Sequence, residues 1–215
     1  MDAKFRAWAA AVKARQKKRR AGRQAQNPPA VPPLWLFSDA ERLPNPLPLA
    51  ALLPKGLSGI ILREPNAALR AQLARALAPI CRARQIVLVI AQDARLALSV
   101  HAGLHLSRGE ISLLGRKVKF RTASAHNARE LRRAYQAGAR LAFLSPLFPT
   151  ASHPGAAGLM PLRWAKLARN ARIPLAALGG ISTQNLRRVP RKAVAIGGIG
   201  SFAAVAGLGS GKQAR

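Results

Sequence analysis

Residues 174–201 read PLAALGGISTQNLRRVPRKAVAIGGIGS and state one pattern twice. An apolar run too short for a helix ends in a glycine pair, Leu178-Gly179-Gly180-Ile181-Ser182 and then Ile196-Gly197-Gly198-Ile199-Gly200-Ser201, each followed by residues suited to start a helix. Without a Cβ, backbone amides can approach an anion closely, and a following helix N-terminus adds its positive dipole end. In parallel barrels the loops after the seventh and eighth strands are the usual phosphate position. Phosphate binding at Gly179, Gly180, Gly197 and Gly198 is the expectation this stretch sets.

Upstream, the same rhythm recurs. Strand-like runs are expected at Leu34 to Phe37, Leu57 to Leu62, Ile86 to Ala91, Leu104 to Leu106, Val118 to Ser124, Leu141 to Leu144, Pro174 to Leu178 and Ala193 to Ile196. Helices are expected near Leu47 to Leu53, then at Ala67 to Arg84, Ala94 to Ala102, Ala128 to Ala137, Pro161 to Ala171, Thr183 to Val189 and from Ser201, with a weaker signal across Arg108 to Lys117. Alternating strands and helices imply parallel pairing with right-handed crossovers. Eight such units close into a compact (β/α)8 TIM barrel over residues 31–207, with a doubly wound open sheet as the alternative.

The chain has 215 residues, a 49% apolar share and one cysteine, Cys81. That cysteine count excludes a disulfide scaffold and a thiolate metal cluster and fits a reducing, cytoplasmic setting. Charge is the outlier: 36 Lys plus Arg against 7 Asp plus Glu, a formal net charge of +29. Such a field concentrates any polyanion, so phosphorylated small molecules, nucleic acid and anionic lipid all qualify as partners. With aromatics at 5%, nucleic-acid binding is expected to be weak and non-specific. Residues 1–30 read as a basic N-terminal extension, helical or disordered, with Phe5, Trp8, Ala9 and Val12 at helical spacing and the prolines from Pro28 onward breaking it. Neither an export signal nor a membrane span is indicated. Residues 208–215 read as a disordered tail.

In a barrel, chemistry gathers where the strands end. The residues there are largely polar or glycine: Ser38 and Asp39, Arg63 and Glu64, Gln92 and Asp93, Ser107 and Arg108, Ser124 and His126, and the run from Ser145 to His153. His126, with Glu130 four residues on, could handle a proton near neutral pH; equally, Asn127 could start a helix there with the imidazole merely hydrogen-bonded nearby. His105, flanked by Leu104 and Leu106, reads as a satisfied core histidine.

Five motifs then line up with a known family. Leu144-Ser145-Pro146-Leu147-Phe148-Pro149-Thr150, with Ser152 and His153, resembles the Gly-Pro-x-Phe-Pro-Thr-x-Thr-Lys loop of the thiamine phosphate synthase and TenI superfamily. Gln92-Asp93 resembles its Asn-Asp, Gly103-Leu104-His105-Leu106 its Gly-Val-His-Leu, Ser124-Ala125-His126 its Ser-x-His, and Ala176-Ala177-Leu178-Gly179-Gly180-Ile181 its Ala-Ile-Gly-Gly-Ile. The resemblance implies a barrel that takes a phosphorylated thiazole and, in the synthases, a pyrimidine diphosphate with Mg²⁺. It assigns Thr150, Ser152, Gly180 and Gly197 to the thiazole phosphate, Arg63 and Ser124 to the diphosphate, Asp93 to Mg²⁺, and His126 to moving a proton in a tautomerase, which needs no metal.

The departures shape the functional expectation. After the second strand the family's Gln-x-Arg-x-Lys appears as Ile61-Leu62-Arg63-Glu64-Pro65, without the lysine, and His153 stands where its Phe-Pro-Thr loop ends in lysine. Ser107-Arg108-Gly109-Glu110 replaces Gly-Gln-Glu-Asp, leaving Glu110 as the second metal acid. Missing lysines weaken a diphosphate clamp, because each carried a fixed positive charge. Three functions follow: a thiamine-pathway enzyme, either coupling synthase or TenI-like thiazole isomerase; a non-catalytic barrel that binds a phosphorylated ligand; and a nucleic-acid-binding protein using the basic surface.

Overall fold

The computed structural model describes residues 2–21, 31–107, 113–150, 155 and 157–199. Its strands are β1 (Leu34–Phe37), β2 (Ser58–Leu62), β3 (Val87–Ala91), β4 (Gly103–Leu106), β5 (Arg121–Ala125), β6 (Leu141–Leu144), β7 (Leu175–Leu178) and β8 (Ala195–Gly198). Every neighbouring pair is parallel, and β1 pairs with β8 to close the barrel. The helices are α1 (Ala3–Ala21), α2 (Leu47–Leu52), α3 (Ala67–Ala83), α4 (Ala94–Ser99), α5 (Leu113–Lys117), α6 (Ala128–Gln136) and α7 (Met160–Arg169). This is the (β/α)8 barrel the strand rhythm implies; the open sheet is excluded by the β1–β8 pairing.

Two apolar layers account for its stability. Alternate residues along each strand face opposite ways, so Leu34, Leu36, Ile60, Leu62, Leu88 and Ile90 pack outward with the helices, while Trp35, Phe37, Ile61, Val89, Phe143 and Ala176 fill the barrel. The Trp35 indole is wholly buried and donates to the Pro32 carbonyl at 2.7 Å. Its bulk dictates a neighbour's identity, since a Cβ on Gly59 would sit 2.5 Å from the indole ring. At the upper end Phe37 and Phe143 meet edge to face at 4.9 Å, and the His105 ring packs edge-on against both.

Two expectations need correction. The last strand begins two residues later than expected and takes in Gly197 and Gly198, which pair with Trp35 and Leu36, so this glycine pair ends a strand rather than forming a turn. A Cβ on Gly197 would press on Leu178 and Phe37, each at 3.0 Å, so packing inside the barrel also demands glycine there. The expected helix Thr183 to Val189 is only a 3₁₀ turn, Leu186–Arg188. There Asn185 accepts the Ser182 N–H and donates to the Gly180 carbonyl, which holds a turn, and Pro190 stops extension. The helix expected from Ser201 lies outside the described residues.

The basic N-terminal segment is no detached appendage. Within α1, Phe5, Ala9 and Val12 are buried, and Phe5 and Ala9 join the core beneath the helices. Lys13 donates to the Gly56 carbonyl ahead of β2, and Gln16 donates to the Val194 carbonyl ahead of β8, so α1 crosses the foot of the barrel, away from the mouth. The basic residues Lys4, Arg6, Arg15, Lys17 and Lys18 stay exposed. No helix among the described residues is long and apolar enough to cross a membrane.

Candidate active site

The carboxyl ends of the strands enclose two adjoining hollows of about 540 and 870 Å³. Ser124, His126, Thr150, Gly179, Gly180, Gly197, Gly198 and Arg63 all line the smaller one. The larger lies against Glu64, Pro65, Arg70, Gln92, His105 and Ser107. Asp39, Arg42, Arg63 and Ser124 border both, forming a shared wall. Ser152, His153 and Glu110 lie outside the described residues.

The glycine turn after β7 is shaped by the loop after β6. Gly179 and Gly180 have φ of +94° and +66°, and a Cβ on either would run into the chain between Pro146 and Pro149. Leu147 N–H donates to Leu178 O at 2.8 Å and Phe148 N–H to Gly179 O at 3.1 Å, so the two loops are stitched together. That docking brings Thr150 to the hollow bordered by Gly180 and Gly198.

The loop after β5 sets His126 between a helix cap and the loop after β6. Asn127 caps α6 by accepting the Glu130 N–H at 2.9 Å, and Glu130 reaches back to accept the His126 backbone N–H at 2.8 Å. Glu130 thus belongs to a capping arrangement and is not the imidazole's partner. The ring instead sets Nδ1 2.9 Å from the Ser145 carbonyl oxygen. A carbonyl only accepts, so Nδ1 carries the hydrogen, and the neutral ring keeps its lone pair on Nε2.

His105 is the satisfied core histidine that its sequence neighbours suggest, although it also borders the larger hollow. It is 2% exposed and bonded on both sides, Nδ1 to Thr122 Oγ1 at 2.8 Å and Nε2 to Ser124 Oγ at 2.9 Å. Burial, with the nearby Arg63 charge, pulls its pKa down to about 3. The ring is therefore neutral at physiological pH and holds the Ser124 hydroxyl on the shared wall.

On that wall Asp39 joins two arginines. Its Oδ2 accepts from Arg42 Nη2 at 3.1 Å and Arg63 Nη2 at 3.0 Å. Hydrogen bonds from Arg42, chiefly, hold the Asp39 carboxyl below its ordinary pKa. Arg63 also donates to Ser38 O at 3.1 Å and lies over the Phe37 ring, 5.5 Å from its centroid. Sequence reasoning assigned Arg63 a role and missed Arg42; the Asp39-x-x-Arg42 spacing was the available signal.

Asp93 does not reach this wall. Its Oδ1 accepts the Leu96 N–H at 2.9 Å as the cap of α4, and its Oδ2 pairs with Arg70 at 3.1 Å. Among the described residues no three His, Cys, Asp or Glu side chains gather as a metal site. Both Asp93 oxygens are engaged by Leu96 and Arg70, which does not fit the Mg²⁺ role the resemblance gives it, and Glu110 lies outside the described residues.

Fold and mouth together define a class, the (β/α)8 barrels whose polar groups and glycine turns converge above the strand ends. The profile of the family described as thiamine monophosphate synthase matches residues 46–208. A thiamine-phosphate synthase of Syntrophomonas wolfei is 36% identical over 62% of this chain and 68% of its own, and that of Herpetosiphon aurantiacus is 32% identical over 77% and 84%. A solved thiamine phosphate pyrophosphorylase of Pyrococcus furiosus shares the fold with a TM-score of 0.67, at 23% identity, covering 81% of this chain and 87% of that one. The chain belongs to the thiamine monophosphate synthase family.

Proposed function

We propose that this protein acts in thiamine biosynthesis by coupling a phosphorylated thiazole to a pyrimidine diphosphate. The observation that carries the reading is the pair of adjoining hollows sharing Arg63, Arg42 and Ser124. Two substrates need two lobes, and the bond formed between them must lie at the common wall. The thiazole phosphate takes the lobe of Thr150 and Gly180, and the pyrimidine takes the lobe of Gln92 and His105. In the reaction the bond between the pyrimidine's methylene carbon and the diphosphate oxygen breaks, and its electron pair leaves with the diphosphate. The thiazole nitrogen then donates its lone pair to that carbon. Guanidinium groups fixed beforehand stabilise the departing charge without reorganising, which is where such sites accelerate reactions most. The names of the curated relatives support this reading.

A second reading rests on His126. With Nδ1–H held by Ser145, a neutral Nε2 can accept a ring proton, the chemistry of a thiazole isomerase. One experiment separates the two: purified protein is given the thiazole carboxylate phosphate alone, and then a thiazole phosphate with the pyrimidine diphosphate and Mg²⁺. Thiamine phosphate from the pair supports coupling, and an isomer from the single substrate supports the second reading. Neither product sinks both and leaves a barrel that only binds a phosphate ligand.

A further inference from the structure

We infer that Arg42, from the loop after β1, supplies the diphosphate-binding cation that this chain lacks after β2, with Asp39 as the bracket that positions it beside Arg63. The inference rests on the coupling reading above. Arg63 occupies the arginine position of the family's Gln-x-Arg-x-Lys, but the lysine position holds Pro65, which has no charge to offer. Pro65 and Arg42 border the same larger hollow, so the lost and the substituted cation face one space.

Asp39 makes the pairing specific. Both oxygens engage Arg42, through its backbone N–H and Nε at Oδ1 and its Nη2 at Oδ2, and the same Oδ2 holds Arg63. Two guanidinium groups brought to one carboxylate leave the cluster with net positive charge, and their side chains remain 42% and 41% exposed. Each guanidinium keeps its full charge while bonded to the shared carboxylate, and its exposed part faces the hollow where phosphoryl oxygens would lie. A monophosphate needs one such fork; a diphosphate, with more charge over a longer span, uses both.

The test is titration calorimetry with inorganic diphosphate on the full chain. Wild type binds it, Arg42→Ala weakens binding about tenfold or more, the scale of one charge-assisted contact, and adding Pro65→Lys to Arg42→Ala restores at least half of the loss on a logarithmic scale. That restoration is what a merely structural Arg42 would not give. Should Arg42→Ala not fold, Arg42→Gln, which is shorter but keeps a hydrogen-bonding amide and carries no charge, shows the same loss. Unchanged affinity in the folded variant, or no rescue by Pro65→Lys, overturns the role of Arg42 while the coupling reading stands. Absence of diphosphate binding in the wild type overturns both.

Discussion

His126 Nδ1 faces the Ser145 carbonyl oxygen at 2.9 Å, so the imidazole spans from the end of β5 to the loop that follows β6. This contact orients the ring, while Glu130 and Asn127 fix only the backbone beneath it. The expected neutral tautomer is Nδ1–H, checked by the nitrogen chemical shifts of His126; an Nε2–H ring would remove it as an acceptor facing substrate. His126→Ala should lower isomerase turnover by about a hundredfold or more, the usual scale for a lost acid–base group, with thiazole phosphate affinity nearly unchanged. Full turnover in that variant would eliminate the base.

Gly180→Ala should be severe. Its φ of +66° disfavours a side chain, and the new methyl would meet the Pro149 and Phe148 carbonyl oxygens and the Phe148 Cβ, atoms of a docked loop that cannot easily yield. Strain and collision together should cost about 2 kcal/mol or more in urea unfolding, and the displaced Phe148 loop should carry Thr150 away, weakening phosphate binding. A variant as stable as the wild type would show that the two loops are not packed as described.

Much of this architecture was legible because strand runs such as Leu34–Phe37 and Leu141–Leu144 are short, apolar and bounded by polar residues, and they appear with unchanged limits. The glycine pair at Gly197 was misplaced since sequence shows only that Cβ is absent; the cause, crowding by Phe37 and Leu178 inside a closed barrel, is tertiary. Asp93 is similar, a carboxylate that the family resemblance makes a metal ligand but whose neighbours Leu96 and Arg70 make it a cap and an ion pair. Arg42 stayed hidden because its meaning depends on Arg63, which follows the neighbouring strand β2 and meets it only through Asp39.

The N-terminal helix shows how charge can mask packing. Nine basic residues among the first thirty read as a helical or disordered extension, yet Phe5 is 1% exposed in the core. Phe5→Ala should therefore destabilise the whole barrel by about 3 kcal/mol, the usual cost of emptying such a site, in a single cooperative transition. Unchanged thermal unfolding would mean that the helix docks without contributing to the core.

His105 makes acid stability predictable in sign. Its folded pKa of about 3 lies far below that of an unfolded histidine, about 6.5. Between those values the unfolded chain binds a proton that the folded chain refuses, so stability rises with pH through that window and falls as pH drops from 6.5 toward 3. The limiting slope from this one group is about 1.4 kcal/mol per pH unit. Asp39, held below its ordinary pKa, adds a loss only at lower pH, beneath the unfolded carboxylate value of about 3.9. Urea midpoints should accordingly fall between pH 6.5 and 5, and His105→Gln, though less stable at neutral pH, should lose that slope because an amide does not titrate. If the variant kept the slope, the buried ring bonded to Thr122 and Ser124 would not be the group responsible.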